Sequence, residues 1–191
     1  MNLQILLEKP KDKVLALIFI LTFILSIIFS AVIFPYYLNQ FPKGAGLFEI
    51  KAAWSKQNIE KIFNIWRKDG SQDYFELMTI VNMLDFIFIV VYGTALTSGI
   101  LLVARGLKDS EKLQNFYLKA IIFPIAAAIL DVIEGIFIQI MLWNPNNVTE
   151  FLAFSSSLSN FLLMVMFYIS LLLMVIGAVI CIIFFAKNRK K

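Results

Sequence analysis

The stretch that decides the fold is residues 124–143, PIAAAILDVIEGIFIQIMLW. A helix of about 20 mostly apolar residues is long enough to cross the hydrocarbon core of a bilayer. This stretch nevertheless carries two carboxylates near its middle, Asp131 and Glu134, and their three-residue spacing places them on one helix face. Because an ionised carboxylate at the centre of a membrane helix costs about 2.5–3.5 kcal/mol, such residues usually face the bundle interior and mark function. The stretch therefore predicts a membrane helix with a buried acidic site.

Three further apolar runs accompany this stretch. The chain has 191 residues, of which 60% are hydrophobic and 16% are charged, and its mean hydropathy is +0.83. A soluble domain of this length would carry far more charge. Backbone polar groups need internal partners in lipid, and the runs do not alternate as strands do, so they are helices. We predict an all-α membrane fold in which residues 1–191 form a single transmembrane domain. This domain is a four-helix bundle, and its spans lie at about 14–36, 77–105, 119–143 and 157–186.

The basic residues are distributed unevenly between the two ends of the predicted bundle. Eleven lie on the side of the chain termini and six lie in the first connection. The positive-inside rule therefore predicts a multi-pass protein of the cell inner (plasma) membrane with its N- and C-termini in the cytoplasm. Because topology explains the basic balance, we expect no nucleic-acid partner. The eleven are Lys9, Lys11, Lys13, Arg105, Lys108, Lys112, Lys119, Lys187, Arg189, Lys190 and Lys191, and the six are Lys43, Lys51, Lys56, Lys61, Arg67 and Lys68.

The predicted outer segment, residues 39–70, is the only sizeable part of the chain outside the spans. Its LFEIK sequence (47–51) is predicted to be extended. Ser55 is a candidate N-cap for a helix that ends at Gly70, a residue suited to the left-handed position after a helix. Helical spacing predicts an apolar face on that helix, which would lie on the membrane or over the mouth of the bundle. The residues of this face are Ile59, Ile62, Phe63 and Trp66.

Several classes of chemistry are excluded or disfavoured by composition. The chain has no His and one cysteine, Cys181, which removes most zinc sites, His-ligated haem and two-thiol redox chemistry. We expect no cofactor and no metal, although a carboxylate-only divalent site is an open alternative. DVIEG (131–135) resembles one piece of the CDP-alcohol phosphotransferase signature but lacks the other aspartates. A two-aspartate intramembrane protease using Asp85 and Asp131 lacks the Gly-rich context around the second aspartate.

Five residues are candidates for a ligand-binding or proton-relay site, and catalytic residues stay unknown. At 1.5 Å per residue, Glu134 and Asp131 lie about 13 and 18 Å below Trp143, in the predicted outer half of the membrane. Asn82 and the remaining candidates fall near the same level. We expect a polar cavity open to the outer side and roofed by residues 39–70. The five candidates are Asp85, Tyr92, Asp131, Glu134 and Asn160.

The protonation of the central carboxyl groups follows from their surroundings. No Lys, Arg or His lies deep in any predicted span. Desolvation and mutual repulsion both disfavour the charged form, so at least one of Asp131 and Glu134 is expected to carry a proton at neutral pH. A protonated acid suits a proton relay or general-acid chemistry. The alternative is a buried hydrogen-bonded cluster that only orients the helices.

The chain resembles a group of uncharacterised small four-helix bacterial integral membrane proteins. The resemblance rests on LDFIFIVVYGTAL (84–96), ILDVIEG (129–135) and NIEKIFNIW (58–66), and it covers roughly residues 47–142. It implies the topology, an Asp that opens the second span and a DxxE element in the third. Where similar sequences often read DxxEN, this chain has Gly135, which removes one amide from the site. EXPERA-type proteins are an analogy of architecture only.

The leading hypothesis for function is a membrane protein that binds a small or lipid-like ligand in an outward-facing acidic cavity. The expected partners are the lipid bilayer and a lipid or small amphiphilic ligand. A membrane enzyme that performs acid–base chemistry on a lipid, with Glu134 as the acid, is one alternative. A structural or assembly partner is another. Proton-coupled transport would require a homodimer to enclose a path, because four spans without an inverted repeat do not.

Overall fold

The computed structural model describes residues 10–70 and 73–188, and within these ranges the fold consists of helices joined by turns and loops, with no strands. Four helices are long and apolar enough to span a membrane: Asp12–Leu38, Tyr74–Gly106, Glu111–Trp143 and Glu150–Ala186. The prediction of an all-α four-helix bundle is confirmed, and the chain is a multi-pass membrane protein. The individual helices are Asp12–Ile28, a π-helical turn Phe29–Ile33, Phe34–Leu38, Leu47–Lys51, Lys56–Asp69, Tyr74–Gly106, Glu111–Ala120, Ile122–Trp143 and Glu150–Asn188.

The second span is the centre of the bundle. It packs against the first, third and fourth spans, and the third and fourth spans also pack against each other. We call residues 39–70 the cap, the end of the bundle that carries it the cap side, and the opposite end the termini side. On the termini side, Arg105 Nη1 donates hydrogen bonds to the Pro10 carbonyl and to Asp12 Oδ1, at 2.6 and 2.7 Å. This contact joins the ends of the first and second spans.

The boundaries of the second and third spans follow from local chemistry. The sequence predicts that the second helix begins near Ser71, a residue that lies outside the described ranges. The helix begins at Tyr74 because Asp73 Oδ1 accepts the backbone N–H groups of Phe75 and Glu76. The third span is interrupted at Ile121, between the helices Glu111–Ala120 and Ile122–Trp143. Proline has no N–H to donate to the carbonyl four residues earlier, so Pro124 accounts for this interruption.

The cap contains two helices, and one of them corrects a prediction. The LFEIK sequence, predicted to be extended, is the short helix Leu47–Lys51, and we call it the Lys51 helix. Glu49 Oε2 accepts the N–H of Gly46 at 2.9 Å, which fixes the start of this helix. The second helix, Lys56–Asp69, is the cap helix. Its predicted ends are confirmed, since Ser55 Oγ accepts the N–H of Asn58 and Gly70 has a left-handed φ of 60°.

The cap helix packs on the bundle through its apolar face. All four residues of the predicted face are buried, and they join a core with residues of the Lys51 helix and of the second and third spans. Of the two predicted positions, the structure shows the one over the bundle. The main members of this core are Phe41, Leu47, Ile50, Ile59, Ile62, Phe63, Trp66, Tyr74, Met78, Ile138 and Met141.

Polar contacts tie the cap to the loop between the third and fourth spans and to the first residue of the fourth span. Arg67 Nη2 donates to the Pro145 carbonyl at 3.1 Å and to Asn146 Oδ1 at 2.8 Å. The backbone N–H of Lys56 donates to Glu150 Oε2 at 2.9 Å. The cap is therefore held both by apolar burial and by polar anchors at its edge.

We expect Gly177→Ala to lower the thermal unfolding midpoint in detergent. A Cβ at Gly177 would lie 2.3 Å from Val103 Cγ1 and 2.8 Å from the Tyr117 ring, where the fourth span approaches the second and third. Because Val103 has a stiff β-branched side chain and Tyr117 is buried, the helices must move apart, at about 1–3 kcal/mol. Gly93→Ala is the control, since its Cβ would meet Ala128 Cβ at an ordinary 3.5 Å. Equal midpoints for the two variants would contradict this packing.

Candidate functional site

The ammonium group of Lys51 lies among three carboxyl groups that belong to two different spans. Lys51 Nζ is 2.8 Å from Asp85 Oδ2 in the second span and 3.1 Å from Glu134 Oε2 in the third. It is 3.7 Å from Asp131 Oδ1. We call Lys51, Asp85, Asp131 and Glu134 the acidic site. A residue of the cap thus neutralises part of the charge inside the bundle.

The Lys51 helix explains why this lysine points inward. Leu47, Ile50 and Lys51 are spaced i, i+3 and i+4, so on a helix they share one face. Leu47 is 5% exposed and Ile50 is 1% exposed, because both belong to the apolar core beneath the cap. Burial of these two residues therefore directs the third member of the face toward the carboxylates. In an extended segment, residues 50 and 51 would point to opposite faces.

The carboxyl groups are removed from solvent to different degrees. The side chain of Glu134 is fully buried, that of Asp131 is 6% exposed and that of Asp85 is 10% exposed. Lys51 itself is 13% exposed. The site is therefore closed in this structure, and the lysine fills the position of the predicted open polar cavity.

Hydrogen bonds from the second span orient the carboxyl groups of the third. The Tyr92 hydroxyl donates to Asp131 Oδ2 at 2.8 Å. One turn toward the cap from Asp85, Asn82 Nδ2 donates to the Gly135 carbonyl and to Gln139 Oε1, both at 3.0 Å. All of these side chains are at least nine-tenths buried. They join the two spans at the level of the acidic site.

Gly135 allows the second span to approach the third at this level. A Cβ at Gly135 would lie 2.9 Å from Phe86 Cζ and 3.4 Å from Asn82 Oδ1. A side chain larger than hydrogen would therefore require Phe86 to move.

The charges of the acidic site do not balance. One ammonium faces three carboxyl groups, so full ionisation would leave two uncompensated negative charges in a buried place. Asp131 Oδ1 and Glu134 Oε1 are buried and accept no hydrogen bond from an N–H or hydroxyl group in the described ranges, although Asp131 Oδ1 lies 3.7 Å from the Lys51 ammonium. An unpaired buried charge is costly, so such a site normally acquires a proton or another positive group. That at least one of Asp131 and Glu134 carries a proton stays a prediction.

The same surroundings determine the charge state of Lys51. Burial alone would lower the pKa of the Lys51 amine, but the carboxylates of Asp85, Glu134 and Asp131 outweigh burial and raise this pKa above its ordinary value. Lys51 therefore stays a cation at every physiological pH. This disfavours a role as an amine nucleophile, which requires the neutral form.

Four of the five candidate residues come together in the structure. Asp85, Tyr92, Asp131 and Glu134 form one connected cluster of hydrogen bonds and ion pairs. Asn160 is half-buried in the fourth span, and within the described part of the chain it forms no hydrogen bond to them. Depth alone had grouped it with the carboxylates, but depth does not say toward which neighbour a helix face points.

Sequence reasoning missed Lys51 as a site residue. The expectation considered only basic residues deep in the predicted spans, of which there are none, and overlooked those of the cap. A usable signal was present, because three buried carboxylates require a positive partner and the first connection was the closest source of one. The signal did not discriminate among the six basic residues there.

A separate apolar groove lies nearer the termini side, between the first three spans. Its volume is about 610 Å³. Lys51 and the three carboxyl groups do not line it. Its walls include Leu15 and Ile18 of the first span, Gly93 and Thr97 of the second, and Pro124, Ile125 and Ile129 of the third.

Comparison of this chain with protein-family models, curated proteins and solved structures finds no match in any of the three. The geometry of the acidic site is therefore the basis on which its function is proposed.

Proposed function

We propose that this protein is an integral membrane protein that binds a small or lipid-like ligand at the acidic site. The observation that carries the proposal is the excess of carboxyl groups around a single ammonium. If the cluster served only to hold the cap, one carboxylate would be enough to neutralise the charge of the one lysine. Here two further carboxyl groups are buried. Because burial of a carboxyl group costs free energy, their presence indicates a role beyond holding the cap.

The unpartnered oxygens support the same proposal. Asp131 Oδ1 and Glu134 Oε1 are acceptors without donors among the described residues. Buried polar groups in folded proteins are nearly always paired, and exceptions are frequent at functional sites. A ligand that donates hydrogen bonds to these two oxygens would satisfy both.

Binding is better supported than the acid–base alternative. A general acid must reach the substrate atom that it protonates. Glu134 is fully buried, and its Oε2 accepts a hydrogen bond from Lys51. The closed site supplies a place for a positive group but offers no exposed acid to a lipid substrate.

We also propose an orientation for the protein. The termini side carries eleven basic residues and the cap side six, a distribution that supports cytoplasmic termini and a cap on the outer face of a bacterial inner membrane. The ligand would then approach the acidic site from outside the cell, where the cap lies.

A thermal-shift experiment tests ligand binding. Purified protein is heated with a panel of cationic, zwitterionic and uncharged amphiphiles. We expect at least one ligand to raise the unfolding midpoint, since binding at 100 times Kd contributes about 2.7 kcal/mol. We expect Asp131→Asn combined with Glu134→Gln to abolish the shift, and Glu76→Gln, which changes an exposed carboxylate of the second span, to retain it.

The contradicting outcome is equally specific. If the Asp131→Asn, Glu134→Gln variant folds and responds to every amphiphile as the unmodified protein does, the carboxyl groups take no part in binding. The cluster would then serve only to attach the cap to the bundle.

A further inference from the structure

We propose that Lys51 is a tethered competitor for the ligand, and that the ligand carries a cationic, hydrogen-bond-donating group which displaces the Lys51 ammonium from the acidic site. This inference rests on the proposed function and names the chemical class of the ligand.

The position of Lys51 Nζ is the first support. It lies within 3.1 Å of one oxygen of Asp85 and one of Glu134, and within 3.7 Å of Asp131 Oδ1. These distances outline a place where a nitrogen cation is held by three carboxyl groups from two spans. The residue that occupies the place comes from the cap, the part of the chain that lies over the mouth of the bundle.

The oxygens that Lys51 leaves unsatisfied are the second support. Glu134 Oε1 and Asp131 Oδ1 are buried acceptors without a hydrogen-bond donor in the described ranges. A single ammonium has three N–H groups, whereas a guanidinium has five in a planar fork that matches the geometry of a carboxylate. A ligand cation with more donors would therefore satisfy oxygens to which the lysine donates no hydrogen bond.

The small size of the required movement is the third support. Withdrawal of the whole Lys51 helix would expose Leu47 and Ile50, which are buried in the core under the cap. Rotation of the Lys51 side chain alone leaves that core intact. Lys51 is the last residue of its helix and its side chain is 13% exposed, so its flexible stem has a route to the surface.

The charge of the ligand follows from the site. A cation that replaces Lys51 keeps the total charge unchanged, whereas an anion would add to an existing excess of negative charge. An uncharged ligand would leave three carboxyl groups without a counter-ion once the lysine has moved. Charge therefore selects an amphiphile whose polar end is a cation, and the number of donors favours a guanidinium over a protonated amine.

The test uses decylguanidinium as the probe and decanol as the tail-matched uncharged control, with the full-length protein in lipid nanodiscs. If Lys51 occupies the site for most of the time, the apparent affinity is reduced by the fraction of molecules in which it is withdrawn. We expect Lys51→Met to bind decylguanidinium at least about 100-fold more tightly than the unmodified protein, which corresponds to withdrawal in at most about one molecule in a hundred. Lys61→Met, an exposed lysine of the cap helix, should leave the affinity unchanged.

Acylation of the unmodified protein provides a second measurement that does not depend on the stability of the variant. A guanidinium is not acylated under conditions that modify lysine amines. Saturating decylguanidinium should therefore increase the acylation rate of Lys51 several-fold while Lys61 reacts at a constant rate, and decanol should change neither. Mass spectrometry of the modified peptides reports both rates.

Three outcomes would overturn the inference. One is unchanged or weaker decylguanidinium binding in Lys51→Met, and another is a constant acylation rate of Lys51 when the probe is bound. The third is that only zwitterionic or uncharged amphiphiles bind, and that the Asp131→Asn, Glu134→Gln variant loses this binding. That third result would leave ligand binding at the acidic site standing while rejecting displacement of Lys51 by a cation.

Discussion

Lys51→Met is expected to lower the free energy of unfolding by about 3–5 kcal/mol at neutral pH, because it leaves three buried carboxyl groups without their cation. Methionine retains most of the apolar stem of lysine, so lost packing contributes little. The measurement is the unfolding midpoint in detergent, by heat and by denaturant. The destabilisation should shrink as the pH falls, since protonation of the carboxyl groups removes the uncompensated charges.

Two matched variants separate loss of the ion pairs from loss of a lysine in general. Lys61→Met removes an exposed lysine of the cap helix and should change stability by less than about 0.5 kcal/mol. Asp85→Asn added to Lys51→Met removes one uncompensated charge and should recover part of the loss. A destabilisation that is the same at all pH values and that Asp85→Asn does not reduce would rule out uncompensated charge as the cause.

Trp66→Ala is expected to detach the cap from the bundle and to cost about 3–5 kcal/mol, the range for truncation of a large buried side chain. Trp66 is 2% exposed, and its ring packs against Phe41, Phe63 and Phe75. Its Nε1–H donates to the Ala45 carbonyl at 2.7 Å, immediately before the Lys51 helix. Loss of the ring therefore weakens the core that positions Lys51. The measurements are the unfolding midpoint and the rate of proteolysis within the cap.

The control for this prediction changes the hydrogen bond and the packing separately. Trp66→Phe retains an aromatic ring but removes the donor to Ala45, so it should cost less, with about 1 kcal/mol from the hydrogen bond. Ile65→Ala truncates an exposed neighbour, 39% exposed, and should have little effect. If Trp66→Ala unfolds no more readily than Ile65→Ala, the cap is not held by this core. Faster acylation of Lys51 in Trp66→Ala would show that the cap core positions the lysine.

The four spans are readable from the sequence because lipid imposes one dominant requirement. A chain that crosses the hydrocarbon must be apolar for about 20 residues and must satisfy its own backbone, and only a helix does both in these runs. The observed spans extend past the apolar runs, for example to Glu150 where residue 157 was predicted. Hydropathy marks the membrane-crossing part of a helix, whereas caps and polar turns outside it determine where the helix ends.

The apolar face of the cap helix could also be predicted from the sequence. Ile59, Ile62, Phe63 and Trp66 recur at helical spacing, and burial of such a face is favourable wherever an apolar surface is available. The LFEIK sequence was not readable in the same way, because five residues give no clear periodicity. Its helical form follows from the Glu49 contact to Gly46 and from burial of Leu47 and Ile50, and burial depends on the rest of the fold.

The acidic stretch at 124–143 shows the division between sequence and tertiary structure. By itself the sequence determined that Asp131 and Glu134 lie on one face of a membrane helix, because helical spacing and the cost of exposing charge to lipid are local properties. Only the tertiary structure decided that Asp85 and Tyr92 join them while Asn160 does not, since that depends on how each helix is rotated in the bundle. It also decided that the counter-ion is Lys51, one of six basic residues in a connection, because packing of the cap core places that residue alone beside all three carboxyl groups.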